Sequence, residues 1–430
     1  MEATEIPVRL YADTLIVPDI DGVIAYGQAS RKLARLSGNE PTINEYVALK
    51  QHGFFREIFH MPISSPTVEH VYKSLMLLCT RQCNLRCIYC YASATGNGQH
   101  MSVATAIEAT QFYIAHTDRT LRVSFHGGGE PTLNMPVIHA VTDLILREAT
   151  NRPTSFSIVT NGTADEKTLD WLIEKRFSFS LSWDGPPDIQ NRNRPFIGGR
   201  GSANNLERTA EYLNAKNYPF FVRATLSPID DVEKTLSYFA RFGVKHLHIE
   251  PLFPHGREYP SLKFGQEASQ AVYAPEAKDL IYMTISALNT ADRLGISVDN
   301  SAIKNRLPRF RIGRFCGNIA AKSMVVTHDG RLTSCTEVTD MTDAASKIFF
   351  YGMGQTLESD CSMLNNILTR HTKNQPQCSV CPFRYSCGGG CAVKAYRQTG
   401  EFLGIDPVHC QYIKIIVPQL IKREATRRKI

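Results

Sequence analysis

Cys83-Asn84-Leu85-Arg86-Cys87-Ile88-Tyr89-Cys90 brings three thiols into one short loop, and this stretch decides how the chain is interpreted. A cubane [4Fe-4S] cluster normally takes four cysteine thiolates from the protein. Three thiolates would leave one iron open to a substrate or a cofactor. Structural zinc instead needs four ligands, usually from two close cysteine pairs, and no second pair lies near this loop. The spacing therefore favours an iron–sulfur cluster over a zinc site.

The composition is that of a folded protein of two or three domains, with 430 residues, 43% hydrophobic and 21% charged. No apolar run approaches the roughly 18 residues of a membrane span. The start, MEATEIPVRLYADT, has no apolar segment of the signal-peptide kind. We therefore expect a cytoplasmic protein with no membrane partner, in which the 12 cysteines serve as metal-binding or catalytic thiols.

The net charge of +7 is too modest and too dispersed to predict a nucleic-acid partner. The basic tail, Lys422 to Lys429, is typical of a solvated helix end, with an acidic peptide partner as the alternative. The charge pattern thus excludes little beyond nucleic-acid binding.

Short β-rich runs alternate with amphipathic helical patterns from about residue 74 to residue 300. Serial βα units imply parallel strands joined by right-handed crossovers. This pattern fits either a doubly wound sheet or a barrel. The six predicted strands are Leu75–Cys79, Arg122–His126, Ser155–Thr160, Ser178–Trp183, Phe220–Leu226 and His246–Leu252.

The positions of the motifs favour the barrel. The cysteine loop follows the first predicted strand, and three further motifs follow later ones: Gly127-Gly128-Gly129-Glu130-Pro131, Thr160-Asn161-Gly162 and Ser182-Trp183-Asp184-Gly185-Pro186. Sites built from loops after successive parallel strands are typical of α/β barrels. Glycines also allow the backbone to approach a ligand closely.

These motifs resemble those of the radical S-adenosylmethionine (radical SAM) enzymes. In that family the open iron binds the amino and carboxylate groups of SAM, whose cleavage yields a 5′-deoxyadenosyl radical that abstracts a substrate hydrogen. The resemblance implies that Cys83, Cys87 and Cys90 hold the cluster and that Tyr89 lies beside it. The cofactor supplies the difficult chemistry, and the protein positions it.

The resemblance also implies the SAM contacts. Backbone groups of Gly128, Gly129 and Glu130 would bind the SAM amino group, and the stretch SWDGPPDIQNRNR carries over Ser182 and Arg194 as further contacts. Leu252, after the sixth strand, would contact the adenine, with a core leucine as the alternative. The implied fold is α/β, a partial (β/α)6 TIM-like barrel over residues 71–305.

Residues 1–70 predict a separate small α+β module. A hairpin is expected to turn at Asp21-Gly22, followed by helices over Ala29–Leu36 and Thr42–Gln51. The module resembles the winged-helix elements that bind leader peptides by strand addition in enzymes that modify ribosomal peptides. The alternative is an extension that caps the open barrel.

A second field of cysteines occupies residues 306–430. It reads C-x13-G-x4-C from Cys316 to Cys335, then CSVCPFRYSCGGGC from Cys378 to Cys391, and finally Cys410. A zinc ribbon is the alternative interpretation. The arrangement resembles the SPASM extension of certain radical SAM enzymes, which carries two auxiliary [4Fe-4S] clusters.

By that resemblance, the first auxiliary cluster takes Cys316, Cys335 and Cys391. The second takes the remaining thiols of the pattern, which are Cys378, Cys381, Cys387 and Cys410. Lys322 stands where some members of the family carry one more cysteine. The first cluster would then have an open iron, which we favour, or Cys361 would complete it. With the SAM-binding cluster, this makes three [4Fe-4S] clusters.

SPASM enzymes act mostly on peptides and proteins. We therefore expect a peptide maturase that forms an intramolecular C–C or thioether cross-link in a ribosomally made precursor, with a flavodoxin- or ferredoxin-like electron donor. The alternatives are sulfatase maturation to formylglycine, peptide splicing or epimerisation, a radical enzyme acting on a small molecule, and a non-catalytic metal-binding interaction protein. Sulfatase maturases carry an Asp directly after the second early SPASM cysteine, whereas here Thr336 and Glu337 follow Cys335. Glu337 is the candidate base, and a solvent-facing glutamate is its alternative.

Overall fold

The computed structural model describes residues 7–55, 71–117, 120–253, 275–352 and 361–430, and for Cys361 only the backbone. Residues 7–55 form an antiparallel four-stranded sheet in the order β1-β2-β3-β4, followed by a single helix. The elements are β1 Arg9–Tyr11, β2 Thr14–Asp19, β3 Gly22–Gly27, β4 Leu33–Leu36 and α1 Ile43–Gln51.

The predicted N-terminal hairpin and second helix are confirmed. Asp19 pairs with Gly22 across the turn, and α1 begins after Thr42, whose side chain caps the helix in a capping box with Glu45. The helix predicted over Ala29–Leu36 is wrong, because Leu33–Leu36 pairs with β3 as the edge strand β4. A tight turn in which the amide of Arg31 bonds to the carbonyl of Gly27, 2.7 Å away, returns the chain for this pairing.

The central sheet alternates with helices along the chain. Its parallel strands are β5 Ser74–Leu77, β6 Leu121–Phe125, β7 Thr154–Thr160, β8 Ser178–Ser182, β9 Phe220–Leu226, β10 His246–Pro251 and β11 Ser297–Asp299. The helices are α2 Val103–Ala115, α3 Met135–Glu148, α4 Glu166–Glu174, α5 Pro187–Asn193, α6 Ala203–Ala215, α7 Val232–Arg241 and α8 Ala277–Leu294.

The strand order decides between the two arrangements that the sequence left open, a doubly wound sheet and a barrel. Strands β5 to β10 lie side by side in chain order, as in a barrel, whereas a doubly wound sheet reverses direction at a switch point. The sheet continues past β5 and past β10, so the six-stranded run is an open, partial barrel. The predicted fold class is confirmed, and each of the six predicted strands is found within one or two residues of its expected ends.

The C-terminal third is built from short elements and one long helix, α14. Two-residue strands β12 Ile303–Lys304 and β13 Leu307–Pro308 pair with each other, and β14 Ser323–Val326 adds to the central sheet parallel to β5. The remaining elements are β15 Leu332–Thr333, β16 Phe350–Gly352, α9 Ser346–Phe349, α10 Cys361–Leu368, α11 Pro376–Ser379, α12 Arg384–Cys387, α13 Ala392–Thr399 and α14 Pro407–Arg428.

The hydrophobic core has two main parts. The larger lies between the central sheet and its helices, with Trp183, Phe177 and Phe125 fully buried. The second joins the N-terminal sheet, through residues such as Ile24 and Tyr26, to α8 and α14. The N-terminal sheet therefore packs directly on the long terminal helix. Within the described residues, no helix is long and apolar enough to cross a membrane.

Candidate functional site

The cysteine loop is fastened to the protein on both sides. The amide of Cys83 donates to the carbonyl of Thr95 at 2.8 Å, and the amide of Ile88 donates to Asn193 at 2.9 Å. Cys83, Cys87 and Cys90 are partly buried free thiols that line one cavity of about 500 Å³. The structure thus gathers the three predicted ligands at the mouth of the barrel.

The glycine triplet packs against the segment that joins β5 to this loop. Gly128 has φ +83°, and a Cβ there would lie 2.7 Å from the carbonyl oxygen of Thr80, while a Cβ on Gly129 would collide with the carbonyl of Gln82. The glycines are therefore required for the close approach of two backbone segments. Both glycines also line the cavity.

The side chain of Glu130 is part of the scaffold. It is buried and accepts hydrogen bonds from Thr132, from the Thr160 hydroxyl at 2.7 Å and from the Asn161 amide at 2.7 Å. Burial raises the pKa of the Glu130 carboxyl, and these hydrogen bonds oppose the rise. Its side chain thereby ties the end of β7 to the glycine turn, so only its backbone remains for the predicted cofactor contact.

A buried carboxylate, Asp184, locks the other side of the cavity. Asp184 is fully buried and accepts hydrogen bonds from Arg194 at 3.0 Å, from the Thr225 amide at 2.9 Å and from Asn193 at 3.2 Å. The Tyr89 hydroxyl donates to it as well. The Arg194 guanidinium lies over the Tyr89 ring, 5.2 Å from its centre. Tyr89 and Arg194, predicted separately, are therefore joined through Asp184.

The remaining predicted SAM contacts also reach the cavity. Ser182 ends β8, and Leu252 follows β10 with its amide bonded to the carbonyl of Leu226 at 2.8 Å. Leu252 is 1% exposed. It therefore touches the cavity, but it is otherwise a core residue.

The C-terminal cysteines fall into two groups, and within each group the thiols raise one another's pKa. The pKa of the Cys335 thiol lies well above its ordinary value because of burial, then Glu337, Cys391 and Cys316. In the second group, burial and then the nearby thiols of Cys378, Cys381 and Cys410 raise the pKa of Cys387 to about 12. These sets coincide with the two auxiliary ligand sets that the resemblance implies.

Glu337 lies on the cavity wall with Cys391. Its carboxylate is 3.4 Å from Arg397, which also pairs with Asp343 at 2.7 Å. The side chain of Glu337 is 30% exposed. The candidate base is thus half-buried and ion-paired, at the place where the C-terminal cysteines meet the chamber.

The donor set and the space fit an iron–sulfur cluster with SAM. Within the described residues, no three His, Cys, Asp or Glu side chains converge closely enough to hold one metal ion, whereas in a cubane each thiolate binds a different iron. The cavity volume lies in the range of small-molecule sites. Two buried nitrogens there, Arg194 Nε and His126 Nδ1, have no hydrogen-bond partner among the described residues, so a ligand with acceptor atoms would satisfy them.

Several cavity residues were not predicted from the sequence. Arg223, His248, Glu250 and Lys394 line the cavity, and Asp184 lies directly behind it. Alternation along β9 and β10 is the signal that could have found Arg223, His248 and Glu250, because polar residues occupy every second position of β10 and positions 223 and 225 of β9. No such pattern indicates that Lys394 lines the cavity, because its helix, α13, is far from β9 and β10 in the sequence.

The comparisons with known proteins agree with this site. The profile of the Radical SAM superfamily matches residues 77–239. An uncharacterized protein of Methanocaldococcus jannaschii is 31% identical over 193 residues, 44% of this chain and 66% of that protein. A cysteine-type anaerobic sulfatase-maturating enzyme of Clostridium perfringens is 28% identical over 192 residues, 41% of this chain and 52% of that enzyme. The matches thus span about half to two thirds of these curated relatives.

Solved structures share the fold over most of the chain. anSMEcpe with bound AdoMet superposes with a TM-score of 0.62 at 19% identity, covering 83% of this chain and 100% of that one. Streptococcus suis SuiB bound to its precursor peptide SuiA gives 0.54 at 12% identity, covering 94% and 99%. Residues 77–239 of the chain thus carry a radical SAM domain, and the cysteine-rich C-terminal region is consistent with the predicted SPASM extension.

Proposed function

We propose that this enzyme is a radical SAM peptide maturase that forms an intramolecular C–C or thioether cross-link in a ribosomally made precursor peptide. One observation carries the proposal: a single cavity is lined by the three thiols of the N-terminal loop and by Cys391 and Glu337 of the C-terminal region. A substrate in this cavity would lie between the radical site and an auxiliary cluster. Cross-linking removes two hydrogens in total, so it needs an electron acceptor as well as a hydrogen acceptor.

The residues would divide the work as follows. Cys83, Cys87 and Cys90 hold the SAM-binding cluster, and the Gly128–Glu130 backbone, Ser182 and Arg194 hold SAM, with Leu252 at the adenine. Bound there, the cluster and SAM supply the 5′-deoxyadenosyl radical that abstracts hydrogen. The surrounding walls exclude water from the radical and hold the peptide in reach.

Two auxiliary clusters complete the proposed cofactor set. Cys316, Cys335 and Cys391 would hold the first, with an open iron unless Cys361 completes it, and Cys378, Cys381, Cys387 and Cys410 would hold the second. Protein reconstituted without oxygen should then contain about twelve irons per chain and no zinc. About four irons with stoichiometric zinc would contradict the auxiliary clusters and the peptide-maturase proposal that rests on them.

A peptide substrate is supported by two of the similar structures, which are SuiB bound to precursor peptide SuiA and anSMEcpe bound to the Cp18Cys peptide. For this chain we propose residues 1–70 as the leader-binding module, since β1 and β4 end the N-terminal sheet within the described residues, and such an edge can accept a further strand. We also propose a flavodoxin- or ferredoxin-like electron donor. We place the enzyme in the reducing cytoplasm, where the cysteines proposed as cluster ligands would stay reduced.

The test is the accurate mass of short peptides co-expressed with the enzyme without oxygen, chosen from open reading frames beside its gene. A cross-link predicts the loss of two hydrogens and, in fragmentation spectra, a segment that no longer breaks. Loss of a whole fragment would contradict the cross-link and indicate splicing. An unchanged mass with an inverted residue would indicate epimerisation. Because the N-terminal sheet shares a core with α8 and α14, the leader-binding role is tested on the peptide: a precursor without its leader should not be modified, and unchanged turnover of that peptide would contradict the role.

A second candidate function, sulfatase maturation, is favoured by the C. perfringens relative and by the position of Glu337 on the cavity wall. Oxidation of Ser to formylglycine also removes two hydrogens, so mass alone does not separate it from a cross-link. A hydrazide reagent does, because only formylglycine carries an aldehyde. From Cys, the same product forms with loss of hydrogen sulfide and gain of oxygen.

A further inference from the structure

Two charged side chains of opposite sign, Glu337 and Lys394, line the cavity beside the proposed ligands of the first auxiliary cluster. Glu337 follows Cys335 by two residues, and Lys394 follows Cys391 by three. Cys391 lines the same cavity. Both charges therefore lie at the end of the chamber where the C-terminal region meets the radical site.

The backbones of these two residues face the ligand thiols. The amide of Glu337 donates a hydrogen bond to the thiol of Cys335, and the amide of Lys394 donates one to the thiol of Cys391. Cys391 is the N-cap of α13, and Lys394 lies in the first turn of that helix. Hydrogen bonds to the sulfurs are one of the means by which a protein sets the potential of an iron–sulfur cluster. Each charged side chain thus begins at a backbone group that already contacts a ligand sulfur.

The ammonium group of Lys394 is held against the wall of the chamber. Its Nζ lies 4.8 Å from the centre of the Phe253 ring, and Phe253 also lines the cavity, two residues after the end of β10. The negative groups that act on the charge of Lys394 are, in order of their effect, Cys391, Glu250, Glu337 and Asp406. A cluster ligand is therefore the foremost counter-charge of this lysine.

The two cavity carboxylates near Lys394 each have another cation beside them. The carboxylate of Glu337 lies 3.4 Å from Arg397, and that of Glu250 lies 3.0 Å from Nε2 of His248. Neither carboxylate depends on Lys394 alone for its counter-charge. The field of the ammonium group therefore reaches the sulfur of Cys391 without being cancelled by one carboxylate.

Reduction of an iron–sulfur cluster adds one negative charge, so a nearby cation raises the reduction potential and a nearby anion lowers it. In the proposed reaction, the substrate carbon radical forms a C–C or C–S bond while a C–H or S–H bond of its partner breaks. One electron and one proton leave the substrate in this step. The electron goes to the oxidised first auxiliary cluster, and the proton goes to a base of the chamber, for which Glu337 is the candidate. A higher potential of the cluster makes this transfer more favourable.

We propose that Lys394 is a positioning residue that acts through the first auxiliary cluster: its charge raises the reduction potential of that cluster and makes it the acceptor of the substrate electron, with Glu337 as the opposing charge. This inference rests on the auxiliary clusters of the proposed function. It is independent of the identity of the peptide and of the bond that is formed.

The test is a potentiometric titration of the anaerobically reconstituted protein, followed by electron paramagnetic resonance. Cys83, Cys87 and Cys90 are all changed to Ala in this reference protein, so that only the two auxiliary clusters contribute to the signal. Lys394→Met should make reduction of one cluster less favourable by about tenfold, which is a fall of about 59 mV for one electron, and should leave the other cluster unchanged.

Three further variants separate charge from packing. Lys394→Arg keeps the charge and should keep the potential of the reference protein within about twofold in the reduction equilibrium. Glu337→Gln removes the opposing charge and should raise the potential of the same cluster. Lys347→Met is the matched control, because Lys347 is an exposed lysine of the C-terminal region that does not line the cavity, and both potentials should stay unchanged.

A potential of Lys394→Met within about twofold of the reference, at equal iron content, would overturn the inference. Equal shifts of both clusters, or the same shift in Lys394→Arg, would also overturn it, because a structural change rather than a local charge would then be responsible. If Lys394→Met does not take up its iron, Glu337→Gln decides, and an unchanged potential in that variant overturns the inference. A reference protein that holds zinc in place of the auxiliary iron would overturn the proposed function itself.

Discussion

The two cysteine regions of this molecule are built in opposite ways. The loop of Cys83, Cys87 and Cys90 follows a parallel strand and is held by backbone hydrogen bonds to Thr95 and Asn193. The C-terminal cysteines lie on turns and on helices as short as four residues, such as α11 and α12. Helices of that length have little stability of their own. The comparison suggests that the first site is shaped by the fold and the second by what its thiols bind.

Beyond strands β14 to β16, which extend the central sheet, long side chains connect the C-terminal region. Arg311 donates to the carbonyls of Phe315 at 2.7 Å and Ser386 at 2.6 Å, and Arg370 donates to that of Gly389 at 3.1 Å. Burial lowers the pKa of Arg311 to about 10, with neighbouring cysteines opposing the shift. Buried guanidinium groups near thiols favour the thiolate form, which is the form that binds iron.

The largest effect is expected from changing Cys83, Cys87 and Cys90 together to Ala. Formation of 5′-deoxyadenosine should fall to background and about four irons per chain should be lost. The melting temperature should change by less than about 2 °C, because the loop is held by its backbone. Iron analysis, chromatography of the nucleoside and thermal unfolding without oxygen measure these three quantities.

Cys79→Ala is the matched control for this triple variant. Cys79 is fully buried in the core beside the same strand and is not part of the loop. It should keep all the iron and the SAM cleavage, with only the modest destabilisation of a lost core side chain. Retained cleavage in the triple variant would refute the assignment of the radical site.

Changing Cys378 and Cys387 together to Ala should have the next largest effect. The variant should lose about four irons, and its melting temperature should fall by more than about 5 °C, because metal binding there contributes to folding. Equal melting temperatures for this variant and the triple variant would contradict the proposed difference between the two cysteine regions. The two regions would then depend on their clusters to the same degree.

The central part of the molecule was the most predictable from sequence. Strong alternation of β-rich and amphipathic segments located the six strands, and the motif spacing located the cysteine loop after β5. Ser182 was carried over from the resemblance of SWDGPPDIQNRNR to the family's motif, and it lines the cavity. These features depend on local patterns that survive folding.

Features that depend on tertiary pairing were missed. The predicted helix over Ala29–Leu36 failed because a short mixed segment has no decisive period, and pairing with β3 determined its conformation. The role of Asp184 could not be read from the sequence, since its partners come from three separate segments. The alignment of Ser182, Arg223 and His248 on neighbouring strands depends on strand register, which one sequence does not reveal.

The rigidity of the first region is expected to depend on its buried ion pair. Asp184→Asn removes the charge that faces Arg194 in a site where Asp184 is fully buried, and it should destabilise the protein by about 3 kcal/mol. Denaturant unfolding measures this difference. Asp188→Asn in the first turn of α5 is the control, because its pair with Lys234 is exposed and should contribute less than about 0.5 kcal/mol. Equal effects would show that the lock is not electrostatic.

The smallest expected effect concerns His248, on the cavity wall. The pKa of His248 is raised, since its hydrogen bonds to Asp299 and Glu250 outweigh its burial. Its ion pairs therefore stabilise the fold fully below 6.5, the ordinary pKa of histidine, and lose that effect as pH rises through the raised value. The pKa of Glu250 is lowered to about 2, because His248 outweighs its burial, so its contribution is present above 4.5 and lost as pH falls toward 2.

The stability difference between wild type and His248→Gln should accordingly be largest between 4.5 and 6.5, the ordinary pKa values of Glu250 and His248, and should shrink at alkaline pH. Denaturant unfolding without oxygen at about pH 6 and about pH 9 measures it. In the His248→Gln background, Glu250→Gln should add little further pH dependence, because the two side chains act as a pair. Parallel curves of unfolding free energy against pH for wild type and His248→Gln would mean that the two carboxylates do not keep His248 protonated. Arg223 would then have a neutral neighbour, and Glu250 rather than His248 would dominate the charge beside it.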